Sequence, residues 1–183
     1  LEAADLKREL DAGEDVLRVA RDAYALFQSE NALGPLAFPS LKRMEEEVVG
    51  MGLDLLHAPE DARGNMTSGG TESCLLAVKT YRDMARAQRG VTRPEMILPT
   101  TAHVAWFKAS EYFGVKVRLL PLDAQLHADV SALERLINRR TVMILGSAPG
   151  YPHGMIDPIA AMGEIALRHG VPLHVDACVG GFI

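Results

Sequence analysis

The sequence predicts an α/β protein in which N-terminal helices lead into a mostly parallel sheet with flanking helices. From Asn65 onward, short apolar runs of β character alternate with helical patterns of about 10–18 residues, as strands joined by crossover helices do. Before that point the chain reads as helix, and neither an internal repeat nor an interdomain linker is visible. We therefore divide it into an N-terminal helical segment, residues 1–57, and a sheet-containing part, residues 58–183.

Each element has its own signal. Leu6, Leu10, Leu17, Ala20, Tyr24 and Phe27 recur at helical intervals over residues 2–29. After a break at residues 31–35, Phe38 and Pro39 lead into a helix over 41–56, whose Glu45-Glu46-Glu47 run reads as a solvated face. A helix over 71–89 places Cys74, Val78, Tyr81 and Ala85 on one side and ends at Gly90. Residues 95–99 read as a strand, 103–113 as a helix closed by Gly114, and 115–120 as a second strand. Ser131 and Glu134 have capping-box spacing and open a helix through about Asn138. Residues 141–145 are uniformly apolar, as in a strand buried on both faces. Asp157 and Pro158 read as N-cap and first residue of a helix ending at Gly170, and residues 173–176 form the last strand.

Composition narrows the function. The 183 residues are 48% hydrophobic and 23% charged, ordinary values for a globular protein, and the net charge of −5 argues against a nucleic-acid surface. No apolar run approaches the ~20 residues of a bilayer span, and the first residues do not read as a secretory signal. Cys74 and Cys178 lack CxxC spacing and suit free thiols in a reducing, cytoplasmic setting.

Ligands of open α/β sheets bind at the carboxyl ends of the strands. Three polar elements fall at such positions: the Thr67–Ser73 turn, His103 and Asp176. Gly69 and Gly70, followed by a helix N-terminus with Ser68 and Thr71 beside it, can cradle a phosphate, or can simply make a tight capped turn. The turn matches neither a Walker loop nor a GxGxxG fingerprint. Asp176 ends an apolar strand, where a carboxylate calls for a cationic partner unless it serves as a turn or cap residue. His174 shares its face, but with no third ligand nearby we expect no metal. His103 opens a helix and can lie against an aromatic ligand, or can be structural.

Taken together, residues 65–73 (NMTSGGTES), His103 with Lys108, Gly146-Ser147-Ala148-Pro149 and His174-Val175-Asp176-Ala177-Cys178 occur in the order seen in the group II decarboxylase family of fold type I pyridoxal-phosphate enzymes. The likeness runs from about Asn31 to the end, and the SGGTES and GSAP runs resemble the lyase branch of that family. The resemblance implies pyridoxal 5'-phosphate as cofactor and part of the large domain of a fold type I enzyme. It implies that Ser68, Gly69, Gly70 and Thr71 hold the cofactor phosphate and that catalytic His103 stacks on the pyridine ring. Asp176 would pair with the ring nitrogen, Cys178 would pack against the ring, Ser147 would stand near it, and Asn31 would meet the substrate. The implied reaction is carbon–carbon cleavage of a phosphorylated long-chain amino alcohol to a fatty aldehyde and phosphoethanolamine, in a homodimer with its site at the subunit interface. Amino-acid decarboxylation and a cofactor-free scaffold are the alternatives. The family's Schiff-base lysine stands downstream of the final strand. Lys7, Lys42, Lys79, Lys108 and Lys116 all lie elsewhere, so we expect the chain to be the N-terminal half of such an enzyme.

Overall fold

The computed structural model describes residues 13–31, 33, 34 and 36–182, in two compact units that divide after Met66. The first unit holds α1 (Glu14–Phe27) and α2 (Pro39–Leu55). Leu6 and Leu10, expected to start the first helix, lie outside the described residues. Pro39 occupies the first turn of α2, where its missing N–H costs nothing. Glu46 and Glu47 are exposed and pair with Lys42 and Arg43 one turn earlier, so the acidic run is the solvated face that its charge implies.

The second unit runs α3 (Gly70–Arg89), β1 (Glu95–Pro99), α4 (Val104–Phe113), β2 (Lys116–Leu120), α5 (Val130–Leu136), β3 (Thr141–Ser147), α6 (Ile159–His169) and β4 (Leu173–Asp176). The strands pair in the order β2-β1-β3-β4, every pair parallel. Helices α3, α4 and α6 each end on a glycine with positive φ: Gly90 at 66°, Gly114 at 61° and Gly170 at 60°. This left-handed position lets the following N–H groups return to free carbonyls of the last turn. Val91, Val115 and Val171 make these bonds to Ala85, Ser110 and Ala166.

Two apolar clusters sandwich the sheet. Cys74, Val78 and Ala85 of α3 and Trp106 and Ala109 of α4 pack with Met96, Leu98, Met143 and Leu145. Ala132 and Leu133 of α5 and Met162, Ile165 and Ala166 of α6 pack with Ile97 and Ile144 on the other side. Alternation along β1 and β3 assigns side chains to the two layers. A register shift beside Glu95 lets Val142 and Met143 share one layer. All seven residues of β3 are buried, which accounts for a sequence without polar alternation. No helix among the described residues is long and apolar enough to cross a membrane.

Two expected caps differ from what the structure shows. Asp129, not Ser131, caps α5: its carboxylate accepts from the Ser131 N–H at 2.9 Å and from its hydroxyl at 2.6 Å. An aspartate two residues ahead of the expected box caps the helix earlier, at the Ser131 amide, which places Ser131 inside the first turn. Asp157 does not cap α6 either. It is buried, and its two oxygens accept from the backbone N–H groups of Ala128 and Ser147, both at 2.8 Å. The carboxylate thus ties the end of β3 to the entry of α5.

Replacing Asp157 with alanine strands two buried N–H groups that now meet a charged acceptor, so we expect a loss of about 2–4 kcal/mol in urea unfolding. A loss below about 0.5 kcal/mol, the scale of an ordinary surface change, would remove this tie from the account.

Candidate cofactor site

Because all four strands are parallel, their carboxyl ends share one edge. Connections from β1 to β2 and from β2 to β3 leave β1 and β3 side by side at a switch of strand order, where such sheets bind ligands. A cavity of about 420 Å³ lies at this edge, within the 300–1,000 Å³ range of small-molecule sites. Gly70, Thr71 and Cys74 reach it from the start of α3, His103 from the start of α4, Ser147 from the end of β3, and Asp176 and Cys178 from the end of β4.

The first turn of α3 supplies donors. N–H groups of Gly70, Thr71 and Glu72 have no acceptor within the helix, and Gly69, its N-cap, offers no side chain to take one. The Glu72 carboxylate accepts from Ser68 N–H at 2.6 Å and from its hydroxyl at 2.7 Å. Those bonds hold its pKa below the ordinary carboxylate range and turn the charge back toward Ser68. Ser68 and Gly69 themselves lie outside the cavity lining. At Gly70 a Cβ would stand 4.0 Å from the Cys178 sulfur, so the helix backbone and the loop after β4 approach closely here.

His103 is the N-cap of α4, and its Nδ1 accepts from Ala105 N–H at 3.2 Å, which fixes the ring's direction. Tyr151 meets that ring edge-on at 5.3 Å. Lys108, five residues further along, is exposed and lies over the Tyr112 ring, so it does not line the cavity.

Asp176 is half-buried. One oxygen accepts from the Trp106 indole N–H at 2.9 Å and the other from the Cys178 N–H at 3.4 Å. Burial pushes its pKa up, but donation from Trp106 and Cys178 outweighs this and holds the carboxyl below its usual value. Burial, with Asp176 and Cys178 nearby, raises the Cys74 thiol to about 12; the bond to Asp176 and burial raise Cys178. Both sulfurs stay neutral at ordinary pH. His174, expected on the face of Asp176, packs edge-on against Trp106 at 5.0 Å, and its Nδ1 lies 3.5 Å from the Tyr81 hydroxyl. No group of three His, Cys, Asp or Glu able to hold a metal occurs among the described residues.

Among the candidate residues, Gly70, Thr71, His103, Ser147, Asp176 and Cys178 line one cavity. Asn31 belongs to the first unit, where its side chain accepts from Leu33 N–H at 3.1 Å. The sequence reading missed Trp106 and Tyr151. Trp106 is the chain's single tryptophan and stands one helical turn past His103, and Tyr151 stands just beyond the GSAP run.

Burial lowers the pKa of His174, against the opposing charge of Asp176. The unfolded chain therefore binds this proton first, and stability should fall as pH drops below about 6.5, by at most about 1.4 kcal/mol per pH unit. Urea unfolding between pH 5.5 and 7.5 should show this slope, and His174→Gln should flatten it; an equal slope in the variant would assign the effect to other groups.

Sphingosine-1-phosphate lyase of Oryza sativa subsp. japonica is 50% identical over 166 residues, covering 88% of this chain and 31% of that protein. The Arabidopsis thaliana enzyme of the same name is also 50% identical over 166 residues, covering 88% of the chain and 30% of its own length. The solved sphingosine-1-phosphate lyase of Burkholderia pseudomallei superposes with a TM-score of 0.88 at 41% identity, over 93% of this chain and 41% of that one. The chain thus spans about a third of the length of the curated relatives it matches. The pattern described as the pyridoxal-dependent decarboxylase conserved domain matches residues 4–183, almost the whole sequence, and the chain belongs to that family.

Proposed function

We propose that this chain carries much of the cofactor site of a pyridoxal-phosphate-dependent lyase of the sphingosine-1-phosphate type. Such an enzyme cleaves a phosphorylated long-chain amino alcohol to a fatty aldehyde and phosphoethanolamine. The observation that carries the proposal is the convergence of a free helix N-terminus, a fixed imidazole and an ionised carboxylate on one cavity at the strand ends.

These residues fit the cofactor's chemistry. Free N–H groups of α3 and the Thr71 hydroxyl would bind its phosphate, aided by the helix dipole. His103 would support the ring, and Ser147 and Cys178 would wall it. Asp176 would face the ring nitrogen and favour its protonated form. When bound, pyridoxal phosphate supplies the electron sink for breaking a bond to the substrate's amine-bearing carbon. Ser68 and Gly69 would shape the turn that presents α3, and Asn31 would meet polar groups of the substrate.

A homodimer with the site at its interface, in the cytoplasm, is part of the same proposal. Tyr151 and Val179 line the cavity yet stand 75% and 62% exposed, apolar surface that a second copy would cover. The two free thiols suit a reducing compartment.

The test uses the full-length protein with pyridoxal phosphate. Borohydride reduction should leave one cofactor adduct per chain by intact mass, and a phosphorylated sphingoid base should yield aldehyde. Asp176→Asn should lower kcat/KM by about 10²–10³, the scale seen when one electrostatic stabiliser is removed. Carbon dioxide from amino acids without aldehyde would make the protein a decarboxylase; no specific adduct would favour a scaffold.

A further inference from the structure

The carboxylate of Asp176 does not stand alone at the cavity wall: it is hydrogen-bonded to a residue of the core. Trp106 is 1% exposed and packs within the cluster formed by α3, α4 and one face of the sheet. Close packing there leaves the indole no room to turn, so the direction of its N–H is set by the fold. That N–H meets Asp176 Oδ2 at 2.9 Å, while the Cys178 N–H reaches Oδ1 at 3.4 Å. These two N–H donors, one on each oxygen, fix the plane of the carboxylate; the Cys178 thiol bonds it as well, and of its roughly four lone-pair sites not all are used. The indole is braced in turn. His174 packs edge-on against it at 5.0 Å, and Tyr81 packs edge-on against His174 at 5.9 Å.

The same helix caps itself with His103, one turn before Trp106. One turn of α4 therefore sets both the imidazole and, through Trp106, the carboxylate. An apolar ring at position 106 would present no donor, whereas the indole N–H stands where the Asp176 carboxylate accepts it.

We propose that Trp106 is the positioning residue of this site, its core-locked indole N–H aiming the Asp176 carboxylate into the cavity. This rests on the reading that Asp176 meets a cationic group of the cofactor. Without the N–H, burial acts on the carboxyl with less opposition, so the anion becomes both less well aimed and less favoured.

The experiment is a double-mutant cycle on cofactor affinity in the full-length protein, read by fluorescence titration with pyridoxal phosphate, together with the visible absorption band of the bound cofactor. Trp106→Phe should weaken binding about tenfold, the scale of one hydrogen bond to a charged group, and should shift the band. In an Asp176→Ala background the same change should cost less than about twofold, because the group it aims is gone. Replacing Trp106 with benzothienylalanine, which keeps the ring shape and lacks the N–H, should reproduce the phenylalanine result even if phenylalanine itself impairs folding. An equal loss in both backgrounds, or wild-type affinity with benzothienylalanine, would overturn the proposal by reducing Trp106 to packing. If Asp176→Ala alone leaves affinity and band unchanged, the reading of Asp176 fails, whatever Trp106 does.

Discussion

Parallel strands cannot be joined by a tight turn; each pair obliges the chain to return through a crossover, and β1 is paired in this way on both sides. From that constraint follow helices on both faces of the sheet, two separate apolar layers, and a single edge that gathers every strand's carboxyl end. Since β2 and β3 flank β1 on opposite sides, the loops above the sheet part there and leave room for a cavity. His103 follows β1, Ser147 ends β3 and Asp176 ends β4, so residues distant in sequence become neighbours without any long loop.

Three acidic groups in or beside the sheet, Glu95 and Asp176 in strands and Asp157 in the segment after β3, are wholly or partly buried, and each is held in its own way. Glu95, at the amino end of β1, accepts from Asn138 at 2.8 Å and pairs with Arg140 at 2.8 Å and Arg118 at 3.4 Å. Burial opposes its ionisation, but these partners hold its pKa low, and the arrangement pins β2 and the α5–β3 turn to β1. Asp157 is satisfied by two backbone N–H groups and serves as a brace between segments. Asp176, like Asp157, has only neutral donors, but it alone of the three lines the cavity. A carboxylate with neutral partners keeps more of its charge available to a ligand than one already paired with arginine.

The order of elements was legible because each depends on local chemistry. Apolar runs marked the strands, and Gly90, Gly114 and Gly170 marked three helix ends that need a left-handed residue. His103 and Asp176 could be singled out because a polar residue closing an apolar run is locally conspicuous. Position 157 was misread because a carboxylate before a proline fits a cap equally well; only tertiary packing brings Ala128 and the end of β3 within its reach. Trp106 was passed over for a related reason. A tryptophan on the apolar face of a helix reads as core, and its N–H gains a role only when β4, 70 residues later in sequence, arrives beside it.

The polarity of the cavity then constrains its ligand. One end presents unsatisfied N–H groups at the positive end of a 20-residue helix. Asp176 is the one carboxylate among the lining residues, since Glu72 is turned back to Ser68 and both lining thiols remain neutral. Such a site rejects a simple anion at the carboxylate and a simple cation at the helix. It favours a molecule that carries an anionic group at one end and a protonated nitrogen at the other, joined by a flat body. A phosphorylated pyridine has this charge pattern, and a facing carboxylate favours the protonated form of its ring nitrogen. On the proposed reading, the helix N-terminus would set where such a ligand binds, and the direction of the Asp176 carboxylate would set the protonation state in which it is held.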